Sequence, residues 1–119
     1  MNPNAVADFK ERLGLTGSPI VGVVARLDSG AGLDLLLRAI PRLVAAFPAL
    51  QLLVVGDGPN KPDLIRLAYE LKMEEHVVIS HPLSDLWIPR AAMEVCVAPP
   101  FQDIKQVEKE ILSLLKTRA

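Results

Sequence analysis

Apolar residues gather along this chain in two rhythms. Ile20 to Val24, Leu50 to Val55, Val77 to Ile79 and Val95 to Ala98 are short continuous apolar runs with many β-branched residues. Such runs suit strands covered on both faces. Between them the spacing is helical. Val6, Phe9 and Leu13 recur on one face and Gly14 suits a helix end, which predicts a first helix from about Asn4 to Leu13. Leu33, Leu36, Leu37, Ile40, Leu43, Val44 and Phe47 mark one face of a second helix, with Arg38 and Arg42 free to point away. Pro41 interrupts that pattern; it lacks an N–H and clashes with the preceding turn, so a kink or break is expected near Ile40. Leu64, Leu67, Ala68 and Leu71 define a third helix, with Asn60 as candidate cap and Pro62 in the first turn. Ser84 to Ala92 is a weaker helical stretch, disturbed by Pro89. In the tail from Asp103 to Ala119, Ile104, Val107, Ile111, Leu114 and Leu115 share a face, and Lys105, Lys109 and Lys116 fall largely elsewhere. This predicts a C-terminal amphipathic helix.

Strand and helix alternate, so the connections must be crossovers, and right-handed crossovers give an α/β fold with a parallel, doubly wound sheet. About four strands are available, with helices on both faces. A chain of 119 residues, half of them hydrophobic, is enough for one domain spanning 1–119 and short for two. The formal net charge of −1 and the lack of any Lys/Arg run argue against nucleic acid or an anionic membrane as partner. Any anion site must therefore be local. Cys96, the single cysteine, cannot form an intramolecular disulfide and reads as a small buried core side chain, compatible with a reducing compartment. Met1-Asn2-Pro3-Asn4 does not open a signal sequence, and no apolar run is long enough to cross a bilayer. The expectation is a soluble, cytoplasmic chain without membrane insertion.

The chemistry concentrates in Val21 to Asp34: a strand, a glycine-containing turn and an apolar helix, with Arg26 where the strand ends. A phosphate-binding βα corner has this layout, because a helix start offers unpaired N–H groups and the positive end of its dipole. Arg26 would add a full charge. The plainer reading has Arg26 finishing a strand and pairing with Asp28 or Asp57. Gly30 and Gly32 could let backbone approach a phosphate, or could simply serve the turn. No Gly-Lys-Ser/Thr sequence follows, which disfavours a nucleoside triphosphatase loop. Gly56-Asp57-Gly58-Pro59 lies between a strand and a helix; it suits a sharp reversal stiffened by Pro59, with Asp57 either a turn residue or a ligand contact. His76 and His81 flank the third strand without Cys or acidic neighbours at metal-ligand spacing, so each reads as a loop or surface residue. Neither metal nor cofactor is expected.

These elements occur in a telling order. Arg12-Leu13-Gly14-Leu15, Arg26-Leu27-Asp28, Gly32 to Leu37, Phe47-Pro48, Gly56 to Pro59 and Ala91 to Pro99 follow one another between about Phe9 and Pro100. The chain resembles the C-terminal, donor-nucleotide-binding half of retaining glycosyltransferases with two Rossmann-like domains, the group 1 or family 4 type. The resemblance implies a strand order of 3-2-1-4 and a ligand crevice at the carboxyl ends of strands one and four, where Arg26 and Pro99 would meet. It also implies that Arg26, helped by Gly30, Gly32, Asp57 and Pro99, holds the diphosphate of a nucleotide-diphosphate sugar. Two departures bear on activity. The lysine that follows the arginine in the family corresponds here to Ala31, and among Glu70, Glu74, Glu75, Glu94, Glu108 and Glu110 no pair has the seven-residue separation of the family's donor-contacting glutamates. The sequence therefore implies a shortened donor-domain homologue or fragment, not catalytic alone. The alternative is a non-catalytic α/β module that forms a homodimer through strand four or through the Val107, Ile111, Leu114 face.

Overall fold

Each apolar run forms a strand, and each strand is reached from the previous one through a helix. The structure, a computed structural model, describes residues 3–28, 30, 32–82 and 86–117. The order is α1 (Pro3–Leu13), β1 (Ile20–Val24), α2 (Leu33–Ala46), β2 (Gln51–Val55), α3 (Lys61–Glu70), β3 (Val77–Ser80), α4 (Trp87–Ala91), β4 (Val95–Val97) and α5 (Ile104–Thr117). The sheet is wholly parallel, in the order β3-β2-β1-β4. Its register aligns Val21 with both Leu52 and Val95, and Leu52 with Val77.

That register sorts side chains between two cores. Val21, Val23, Leu52, Val54, Val95 and Val97 pack with the buried residues of α2, α3 and α5. Ile20, Leu53 and Val55 face the other way, toward Phe9 of α1 and Ala92 just after α4. The alternation of Cβ directions along each strand produces this division. Helix α5 seats Val107, Ile111 and Leu115 in the larger core, so the Val107 and Ile111 part of the face proposed for self-association is already used inside the chain. Leu114 alone of that trio is exposed. Asp103 starts α5 by accepting the Gln106 N–H at 2.7 Å, a side-chain N-cap.

Three sequence expectations are corrected. Of the kink or break expected near Ile40, the break does not occur: α2 runs on through Pro41, because Leu37, Ala39, Ile40 and Leu43 are all buried and their packing holds the helix across the missing N–H bond. Asn60 occupies the cap position of α3 without a side-chain cap bond; its backbone N–H goes instead to Leu27 O at 2.9 Å. Cys96 is exposed, not buried. It aligns with Gly22 on the α1 and α4 side of the sheet, and β4 is an edge strand whose pattern is buried, exposed, buried. The weak helix shrinks to five residues, and Ser84 lies outside the described residues.

At the amino ends of the strands, two polar side chains fasten the loop before β1. Buried Gln51 accepts the Gly17 N–H at 2.7 Å and donates to Gly14 O at 3.1 Å. Glu94 accepts the Ile20 N–H, and Ser18 Oγ lies 3.5 Å from its other oxygen. The carboxyl ends of the four strands lie at the opposite edge of the sheet.

Candidate functional site

Because all strands are parallel, their carboxyl ends open on one edge, where Arg26, Asp57, His81 and Pro99 emerge. Backbone hydrogen bonds weld the first two loops together: Leu27 N–H donates to Asp57 O at 3.1 Å, and Ala25 N–H to Val55 O at 3.0 Å. Gly56 permits this approach. A Cβ there would run into the Ala25 carbonyl oxygen.

Arg26 stands at the junction of two open clefts. One, of about 480 Å³, is lined by Ala25, Arg26, Asp28, Gly30, Pro99 and Pro100. The other, of about 520 Å³, takes in Arg26, Gly56, Asp57, Pro82 and Leu86. Four of the five residues singled out from sequence therefore line clefts that share one guanidinium: Gly30 and Pro99 on one side, Asp57 on the other. Gly32 lines neither. Its φ of +71° starts α2 from the left-handed region, and the space a Cβ would need is filled by the Phe101 backbone. Its observed work is packing.

The electrostatics of the corner are set by Asp28. One of its oxygens lies 3.6 Å from Arg26 Nε and the other accepts the Gly30 N–H at 3.0 Å. Of the two partners considered for Arg26, Asp28 is the one found; Asp57 instead accepts the Gly58 N–H at 2.9 Å. The Arg26 side chain stays 79% exposed, so this is a weak surface pair that an incoming anion can displace. The turn in which Asp28 accepts the N–H two residues on was readable from Asp-Ser-Gly, a usual Asx-turn sequence. No such local signal marks Pro82 and Leu86, which reach the cleft through the topology alone. Ala31, at the position of the family's lysine, lies outside the described residues.

His76 Nδ1 sits 2.8 Å from Leu50 O, tying the start of β3 to that of β2, while His81 is exposed. Among the described residues no group of three His, Cys, Asp or Glu side chains is placed to hold a metal ion, and no helix is long and apolar enough to cross a membrane.

Comparison with known proteins matches residues 6–101 to the family described as glycosyl transferases group 1. A GDP-mannose-dependent alpha-(1-6)-phosphatidylinositol monomannoside mannosyltransferase of Mycolicibacterium smegmatis is 37% identical over 100 residues, which cover 82% of this chain and 26% of that protein. The chain thus spans about a quarter of the length of this relative. Among solved structures, Anabaena Alr3699/HepE in complex with UDP superimposes with a TM-score of 0.66 at 20% identity, over 91% of this chain and 32% of that one. The C-terminal domain of the glycosyl transferase group 1 family protein LpcC from Francisella tularensis gives a TM-score of 0.71 at 10% identity, over 97% of this chain and 84% of that one. At these identities the structural likeness speaks for the fold.

Proposed function

The chain belongs to the group 1 glycosyl transferases, and from that premise we propose that it is a shortened donor-domain homologue or fragment that binds a nucleotide-diphosphate sugar at the Arg26 corner and does not catalyse transfer alone. The observation that carries this reading is the position of Arg26: an exposed cation at the carboxyl edge of a parallel sheet, between clefts that reach Gly30, Pro99 and Asp57. A diphosphate bound there would meet a charge able to stabilise the negative charge that develops as the sugar leaves. A GDP-mannose-dependent relative and a UDP-bound structural neighbour favour this class of ligand. Arg26, Gly30, Asp57 and Pro99 line the proposed site, with Gly32 shaping it from behind. We take residues 1–119 as one domain and the cytoplasm as its location, the single thiol being compatible with a reducing compartment.

The test is an NMR titration with UDP, GDP and ADP sugars. Saturable binding in the millimolar range is expected, with shifts at Arg26, Gly56 and Gly30. Arg26→Ala should weaken it about tenfold, the scale of one hydrogen bond to a charged group. Ala31→Lys, restoring the family's second cation, should strengthen it. No saturation, or affinity unchanged by Arg26→Ala, overturns the proposal.

A second reading rests on β4. It is three residues long, lies at the sheet edge and exposes Cys96, and unpaired edges invite pairing with another chain. On this reading the protein forms a homodimer through β4, and light scattering should report a dimer at high concentration whose two Cys96 thiols cross-link on mild oxidation. A monomer at all concentrations removes it.

A further inference from the structure

A separate cleft, sharing no lining residue with the two around Arg26, opens beside the carboxyl end of β3. Its volume of about 360 Å³ falls in the size range of small-molecule sites. Its apolar wall comes from Phe9 and Leu13 of α1, the end of β3 closes it at Ile79 and Ser80, and Arg12, Lys61 and His81 complete the lining. Lys61 Nζ lies 3.4 Å from His81 Nε2, so two nitrogen groups converge at the mouth. None of the ion pairs among the described residues involves Arg12, Lys61 or His81. Cationic groups that take no counter-charge from the described residues, beside an apolar wall, suit an occupant that answers both.

We propose that this cleft binds an organic anion with an apolar body, the ring or chain lying on Phe9 and Leu13 at the end of β3 and the anionic group meeting Arg12 and Lys61. A neutral hydrocarbon would leave the cations unanswered, and an inorganic anion would leave the apolar wall wet. Guanidinium and ammonium groups together suit a phosphate or carboxylate, and Arg12 can offer a pair of N–H donors to two of its oxygens.

Phenyl phosphate is the probe, compared with phenol and inorganic phosphate by NMR titration of the whole chain. Phenyl phosphate should shift the amides of Phe9, Ile79 and His81 saturably and bind about tenfold or more tightly than either half-molecule. Arg12→Ala and Lys61→Ala alter side chains outside the core and should each weaken it by a similar factor, while Arg26→Ala should leave it unchanged. UDP should leave the Phe9 amide unmoved. Phenol binding as well as phenyl phosphate, affinity indifferent to Arg12 and Lys61, or UDP moving the Phe9 amide would overturn the proposal. Loss of UDP binding at Arg26 would leave these outcomes untouched, so the two sites stand or fall separately.

Discussion

Gly56→Ala is expected to lower the stability of the chain by about 3 kcal/mol, the upper range for forcing atoms into a filled site. The new methyl would be driven into the Ala25 carbonyl oxygen, with the Leu27 side chain close behind. Backing away is costly for that carbonyl. The segment that carries it is held by the Ala25 N–H to Val55, by the Leu27 N–H to Asp57, and by the Asn60 N–H to Leu27 O. Relief of the clash therefore breaks the weld between the first two loops, and Arg26, one residue along, moves with it. Urea unfolding should show a lower midpoint with little change in slope. UDP binding in the surviving folded fraction should also fall. A midpoint within experimental error of the parent would mean that these loops are not held at the observed spacing.

Ile111→Ala should cost about the same, roughly 3 kcal/mol, for a different reason: a large buried aliphatic side chain is removed and leaves a cavity. Ile111 is fully buried in the core shared by α2, α5 and the β1 to β4 strands. Its neighbours on the helix give the control. Leu114 is 37% exposed, and Leu114→Ala should cost about half as much, roughly 1.5 kcal/mol at about 0.8 kcal/mol per buried carbon and with no enclosed cavity left behind. Thermal or urea unfolding of the two variants separates a helix that is part of the core from one that merely lies on it. Equal, small losses would show α5 to be an appendage.

Most of the fold was legible because its signals are local. The four strands are continuous apolar runs, and a strand covered on both faces has no other economical pattern. Parallel order followed from the intervening helices and the family resemblance, and β3-β2-β1-β4 is what the sheet shows. The misreadings arise where neighbours far along the chain decide. Val95-Cys96-Val97 looks like any doubly covered strand, but an edge strand can be covered on one face only, so Cys96 meets solvent while its neighbours are buried. Pro41 carries a strong local signal for interruption; the buried face of α2 overrides it. At the candidate site, Arg26 and Pro99 were placed together by topology and do line one cleft. Gly32 illustrates the limit of motif reading, since its positive φ and its proximity to Phe101 make it necessary to the turn whatever the ligand.

The long span between the two halves of the sheet has a consequence for how the molecule is made. Val21 pairs with Leu52 on one side and with Val95 on the other. During synthesis, the first partnership can form as soon as β2 has left the ribosome, whereas the second must wait until α3, β3, α4 and β4 have also emerged. Through that interval one flank of β1 stays unzipped in the nascent chain, a vulnerable period in which a chaperone could be needed.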